Sequence, residues 1–271
     1  MKSPFARAAA LLAVLCFAAG ARAADDRLVL TGSSTVAPLA LEIGKRFERE
    51  HPGVRVDVQS GGSTRGVNDA RSGLADIGMA SRALKPSESD LHADTIAMDG
   101  IALIVHADNP IRSLSADQVR AIYTGAVGNW KAVGGPDRRI TVVNKAEGRS
   151  TLELFLHHFG LTNRQIRAQV VIGDNEQGIK TVAGNPGAIG YVSIGTAEFD
   201  QAQGVPIRLL PMDGVAATVD NAANGRFPLA RPLNLVTKET PGALAQRFIA
   251  FARSERVHDL VRDQFFVPLA R

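Results

Sequence analysis

Cysteine is all but missing: of 271 residues only Cys16 carries a thiol. It lies in a leading segment where Lys2 and Arg7 precede an apolar stretch from Ala8 to Ala19, and Ala21-Arg22-Ala23 supplies a small-x-small cleavage pattern. Together these read as a secretory signal peptide over residues 1–23. Leu15 stands where lipid attachment at Cys16 would want a small residue. Beyond the leader there is no thiol, which excludes disulfides, cysteine nucleophiles and thiolate metal sites and points to a compartment outside the cytoplasm. Long apolar runs are missing as well. The Ala8 to Ala19 stretch is too short to cross roughly 30 Å of hydrocarbon, and no later segment reaches about 18 uninterrupted apolar residues. Aromatics are scarce at 5%, there is no Lys/Arg run, and three of the net +4 charges (Lys2, Arg7 and Arg22) sit in the leader. A near-neutral chain with few stacking rings lacks the footprint of a nucleic-acid binder. No Walker-A loop, G-x-S-x-G elbow, H-E-x-x-H helix or internal repeat is present. His157-His158 are adjacent, hence about 100° apart on a helix, and His106-x-Asp108 lacks further ligands nearby, so no metal site is expected.

What is present is ordinary globular material, 45% hydrophobic and 21% charged. Leu28 and Leu30 alternate as a strand, and Leu39, Ile43 and Phe47 recur at helical spacing until His51-Pro52-Gly53. Val54, Val56 and Val58 alternate as a second strand, a short helix spans Arg65 to Arg71, and Leu74 to Met79 reads as a third strand. This β-α-β-α-β run predicts a doubly wound α/β lobe. Gly100 to His106 is a continuous apolar strand, and Ser115 with Gln118 makes a capping box. A second α/β lobe is expected, with strands at Ile140 to Val143 and Ala188 to Val192 and a helix at Thr151 to Phe159. Leu233 to Thr237 reads as a returning strand, followed by helices over Pro241 to Ser254 and Glu255 to Phe265. The expected division is 24–105 for the first part of lobe 1, 106–225 for lobe 2, and 226–271 for a return segment that completes lobe 1 or packs across the hinge. Trp130 and Tyr191 are expected to pack in the core.

Three clusters sit between a strand and a helix: Gly32-Ser33-Ser34-Thr35, Gly61-Gly62-Ser63-Thr64 and Gly148-Arg149-Ser150-Thr151. Each places unpaired backbone N–H groups, hydroxyls and the positive end of a helix dipole together, which is the chemistry of an anion site. Simple N-capping accounts for any one of them. Three in one chain, opposed across a cleft at the strand ends, would account for an oxyanion pocket.

These clusters, with Ala75-Asp76-Ile77-Gly78-Met79-Ala80-Ser81-Arg82, Asp99-Gly100-Ile101-Ala102, Ile122-Tyr123-Thr124-Gly125 followed by Asn129-Trp130, and Ala188-Ile189-Gly190-Tyr191, resemble the phosphate-binding (PstS-like) proteins of bacterial ABC importers over nearly the whole chain beyond the leader. The resemblance implies a two-lobed type II periplasmic-binding-protein fold, each lobe a mostly parallel sheet flanked by helices, with inorganic phosphate held in the cleft and delivered to a membrane permease and its ATPase. It implies a periplasmic, monomeric, non-enzymic protein without cofactors. Ser33, Ser34, Thr35, Ser63 and Ser81 would donate from one lobe and Gly148, Ser150 and Thr151 from the other. This chain has Arg149-Ser150 where the family pattern has Ser-Gly, and Lys145 where arginine is usual. A single ammonium contact would then replace a bidentate one unless Arg149 turns inward.

Phosphate keeps a proton that sulfate lacks, so selecting it needs an acceptor. Asp99 is the first candidate, with a solvated turn before Gly100 as its plain alternative. Asp76 reads as structural, and Glu147 as a loop charge or a partner of Lys145. Arg82 and Arg149 are the cationic candidates; for Arg82 a surface salt bridge is equally consistent, and Arg65 is similar. The departures at Lys145 and Arg149 leave sulfate, molybdate and tungstate open. Rivals are a secreted phosphatase using Ser34 or Ser150, and a sensor or adhesin that has lost transport.

Overall fold

The computed structural model describes residues 26–269, and the signal-peptide reading of residues 1–23 lies outside them. The chain begins with β1 (Asp26–Gly32), α1 (Ala37–Glu50), β2 (Val54–Ser60), α2 (Ser63–Ser72) and β3 (Ile77–Ala80). Leu28 and Leu30 of β1 are buried, and Leu39, Ala40, Ile43 and Phe47 form the buried stripe of α1. β1 pairs in parallel with both β2 and β3. The third strand starts later than its expected Leu74, which is left 74% exposed. Asp76 instead uses its carboxylate to accept the Val29 N–H at 2.8 Å, a structural role at the edge of β1.

The next strand, β4 (Leu91–His106), is the longest. After it come α3 (Ala116–Tyr123), β5 (Thr141–Lys145), α4 (Ser150–Phe159), β6 (Val170–Ile172), α5 (Asn175–Ala183), β7 (Ala188–Ser193), α6 (Ile194–Ala202), β8 (Ile207–Leu209) and α7 (Val219–Ala223). The chain then returns through β9 (Ala230–Lys238) and ends with α8 (Ala243–Ala252), α9 (His258–Asp263) and β10 (Val267–Pro268). Ser115 and Gln118 form the expected capping box at α3. The final helix is shorter than the expected Glu255 to Phe265, since Glu255–Val257 forms a 3-10 turn and Phe265 adopts a positive φ of 54°. Among the described residues no helix is long and apolar enough to cross a membrane.

The strands run in the order β2-β1-β3-β9-β4-β7-β5-β6. β4 and β9 are the two connections between lobes. Leu91 to Gly100 pairs antiparallel with β9, with a bulge between Thr95 and Ala97, whereas Ile101 to Val105 pairs with β7. The hydrophobic clusters change over at both strands: Ala97 and Leu233 belong to one, and Ile101 and Leu229, the residue just before β9, to the other. Residues 101–105, grouped with lobe 1 from sequence, thus pack with lobe 2. Asp99-Gly100 marks the crossing, between Ala97 of one core and Ile101 of the other, without ending the strand. Trp130 and Tyr191 lie in the lobe 2 cluster, with the indole donating to the Gly187 carbonyl at 2.9 Å and Tyr191 stacked on Phe155 at 4.0 Å.

Candidate functional site

The loops before α1, α2, α4 and α5 meet at the changeover of β4 and β9. Their centre is Arg231, near the start of β9 and 1% exposed. Its Nε and Nη2 donate to one oxygen of Asp99, at 3.1 and 2.8 Å, across the register pair Asp99–Arg231. Nη1 also donates to Ser81 Oγ at 3.3 Å and Thr151 Oγ1 at 3.1 Å, and Nη2 to Thr35 Oγ1 at 3.3 Å. One buried guanidinium therefore gathers hydroxyls from both lobes.

Further contacts close the lobes on each other. Ser81 Oγ and Ser150 Oγ are 2.6 Å apart. Asn175, the first residue of α5, donates to Thr35 Oγ1 at 3.1 Å and accepts from Lys145 Nζ at 3.0 Å. The Thr64 amide donates to the Gly148 carbonyl at 3.2 Å. Gly62, the cap of α2, has φ +100°, and a Cβ there would lie 2.7 Å from the Gly148 oxygen and 2.9 Å from Arg149 Cδ. Only glycine satisfies both the backbone and this approach of the lobes.

The predicted residues fall into distinct roles. Thr35, Ser81, Ser150, Thr151 and Lys145 are brought together around Arg231. Ser33 and Ser63 are buried beneath them: Ser33 Oγ accepts the Thr35 and Val36 amides and donates to Ser81, while Ser63 Oγ accepts the Ser81 amide. Ser34 stands at the cleft mouth, an opening of about 370 Å³ that it lines with Pro38, Asp174, Asn175, Glu176 and Thr196. Gly148 contributes its carbonyl to the lobe contact. Arg149 is half-buried, its stem against Gly62 and its head beside Gly173.

Two expectations need correction. Asp99 is no solvated turn residue; it is buried in β4, and besides Arg231 it accepts the Gly195 amide at 3.2 Å. Three of the about four acceptor positions of a carboxylate are thus taken, which fits a group that holds Arg231 better than one waiting for a ligand proton. Arg82 is turned away from the cradle into a bidentate pair with Glu88, at 2.7 and 2.8 Å, because a buried guanidinium needs a carboxylate close by. Sequence reasoning missed Arg231 and Asn175. An arginine entering an apolar strand at Arg231-Pro232, and the helix-start signal Asp174 with Gln177, were the available signals.

Lys145 is 2% exposed, and its ammonium donates to the Asp174 carbonyl at 2.7 Å. Burial, followed by repulsion from Arg231, lowers its pKa to about 7; Asp174 partly opposes this and Arg149 adds to it. Burial likewise lowers Arg149. With Lys145 protonated, Arg231, Lys145 and Arg149 face the carboxylates of Asp99 and Asp174, an excess of about one positive charge in a cradle of hydroxyls. That suits a small oxyanion, with the hydroxyls completing its hydrogen bonds.

Two α/β lobes joined by crossing strands, with helix starts and buried cations converging between them, define a solute receptor of the periplasmic-binding-protein class. A PBP superfamily domain model matches residues 18–256. The chain is 30% identical to the phosphate-binding protein PstS of Bacillus subtilis over 93% of its own length and 84% of that protein. A structure described as a candidate phosphate ABC transporter substrate-binding protein with bound phosphate, from Clostridium perfringens, superposes with TM-score 0.83 at 32% identity, covering 90% of this chain and all of that one. An ABC-type phosphate transport receptor from Vibrio cholerae gives 0.74 at 31%, covering 89% and 100%. The chain belongs to the PstS family of phosphate-binding proteins within the PBP superfamily.

Proposed function

We propose that this protein is the periplasmic receptor of an ABC importer, exported by a cleaved leader, that binds inorganic phosphate between its lobes and hands it to a permease and ATPase. The observation that carries the reading is the convergence of Thr35, Ser81 and Thr151 on the buried guanidinium of Arg231. In the proposed complex Arg231, Lys145 and Arg149 supply charge, Thr35, Ser81, Ser150, Thr151 and Asn175 supply hydrogen bonds, and Ser34 guards the mouth. Ser33, Ser63 and Asp99 hold these groups in place, and the lobes hinge where β4 and β9 change from one core to the other. The names of the relatives support phosphate as the ligand.

A hydrogen bond to a charged group contributes about 1.5–3 kcal/mol, and micromolar binding needs about 8 kcal/mol. A handful of these contacts suffices after desolvation and closure. The reading is of binding and release with no bond made or broken: Ser150 pairs with the hydroxyl of Ser81 rather than with a base, which disfavours a serine phosphatase. Calorimetry with phosphate, sulfate, molybdate and tungstate tests the ligand. Phosphate is expected to bind tightest; tight sulfate or tungstate binding with none for phosphate overturns the assignment.

A further inference from the structure

We propose that Glu153 is the bolt of an interlobe latch, beside the cradle but outside it, that sets how long the closed receptor keeps its ligand. Glu153 lies in the first turn of α4, on lobe 2. Its three polar neighbours all belong to lobe 1. Thr64 Oγ1 donates to Oε1 at 2.9 Å, and Oε2 lies 2.8 Å from Lys85 Nζ and 3.1 Å from Arg82 Nε. Neither approach to Oε2 is aligned as a hydrogen bond, so the attraction of Arg82 and Lys85 to it is one of charge.

Arg82 is already neutralised inside lobe 1. Glu88 holds both ends of its guanidinium and also accepts the Lys85 amide at 2.8 Å. When the lobes part, the Arg82–Glu88 pair stays intact and no buried charge is stranded. Glu153 alone leaves, carried into water on α4. The side chain of Glu153 is 26% exposed and that of Lys85 46%, against 4% for Arg82. The latch therefore reaches from the protein interior, where Oε2 is itself buried against Arg82, to the solvent edge at Lys85, and water re-enters that edge first when the lobes part. Because α4 also carries Ser150 and Thr151, engagement of Glu153 fixes the helix start that presents those hydroxyls. Glu153 is a positioning residue: it acts on the ligand through the lifetime of closure.

The inference rests on the phosphate-receptor reading, and its test has one arm that does not. In stopped-flow measurements with inorganic phosphate, Glu153→Gln should raise the dissociation rate about fivefold and change the association rate less than about twofold, since effects on an established contact fall mainly on release. Lys85→Ala should raise it about threefold, and the two effects should be less than additive. Raising salt should speed release from the natural protein and leave Glu153→Gln nearly unaffected. An unchanged dissociation rate in Glu153→Gln, or additive effects, overturns the latch. In phosphate-free protein, solution X-ray scattering should show a larger radius of gyration for Glu153→Gln than for the natural chain, with equal melting temperatures. Equal radii overturn the latch even if phosphate proves not to be the ligand, whereas absence of phosphate binding in the natural chain overturns the receptor reading alone.

Discussion

Replacing Arg231 separates what it does for the fold from what it does for the ligand. Its guanidinium is 1% exposed and Asp99 is fully buried opposite it. Removing one member of such a pair strands the other and costs about 3–5 kcal/mol. At about 2–4 °C per kcal/mol for a chain of this size, Arg231→Met should melt roughly 6–20 °C lower. Arg231→Met combined with Asp99→Leu removes both charges and should recover most of that loss. Neither variant should hold phosphate, because each charged hydrogen bond removed is worth about 10- to 150-fold in affinity. Arg231→Lys keeps the charge but has no planar fork, and one ammonium cannot serve Asp99 and the hydroxyls of Thr35, Ser81 and Thr151 together. Its affinity should fall at least tenfold. Calorimetry beside thermal melting reads both effects. If the stable double variant, or Arg231→Lys, bound phosphate within about twofold of the natural protein, the guanidinium would not be the centre of the site.

The remaining predictions concern pH and closure. Lys145 has a folded-state pKa near 7 against an ordinary 10.5, so between those values the unfolded chain holds a proton that the folded chain has released. Phosphate-free stability bears the full cost of the buried ammonium below about pH 7 and gains as pH rises towards 10.5; Lys145→Met should flatten that rise in denaturant titrations, and equal slopes would refute it. Gly62→Ala should weaken phosphate binding at least tenfold by placing a methyl against the Gly148 carbonyl, with scattering showing a more open molecule; unchanged affinity would mean that this contact does not limit closure. Arg149→Ala should weaken binding about tenfold or more, and intact affinity would put its guanidinium outside the site.

The repeating strand, loop and helix of the first lobe was readable because each step is local: alternating Leu28 and Leu30, a Gly-Ser bend, and the stripe Leu39, Ile43, Phe47. The same local chemistry marked most of the hydroxyls that now face Arg231. Arg231 offered only the local sign of an arginine entering an apolar strand, since it meets Asp99 across 132 positions and Thr35 across 196, and no short-range pattern encodes those partners. Asn175 was hidden for the same reason: its partner Thr35 lies 140 positions away. Arg82 misled in the opposite direction. A basic residue beside Ser81 looks like a ligand group until the fold brings Glu88 and Glu153 to it. The crossing at β4 was blurred because Asp99-Gly100, which looks like a turn, lies inside a strand that runs on through it from one core to the other.

The position of β9 has a consequence for biosynthesis. This strand lies between β3 and β4, yet it is made after all of lobe 2. Until residue 230 emerges, β3 has a bare edge on that side, and Asp99 has no cation to answer it. A chain whose middle strand arrives so late completes its first lobe only after the second has been made, so neither lobe's core closes before nearly the whole polypeptide is present.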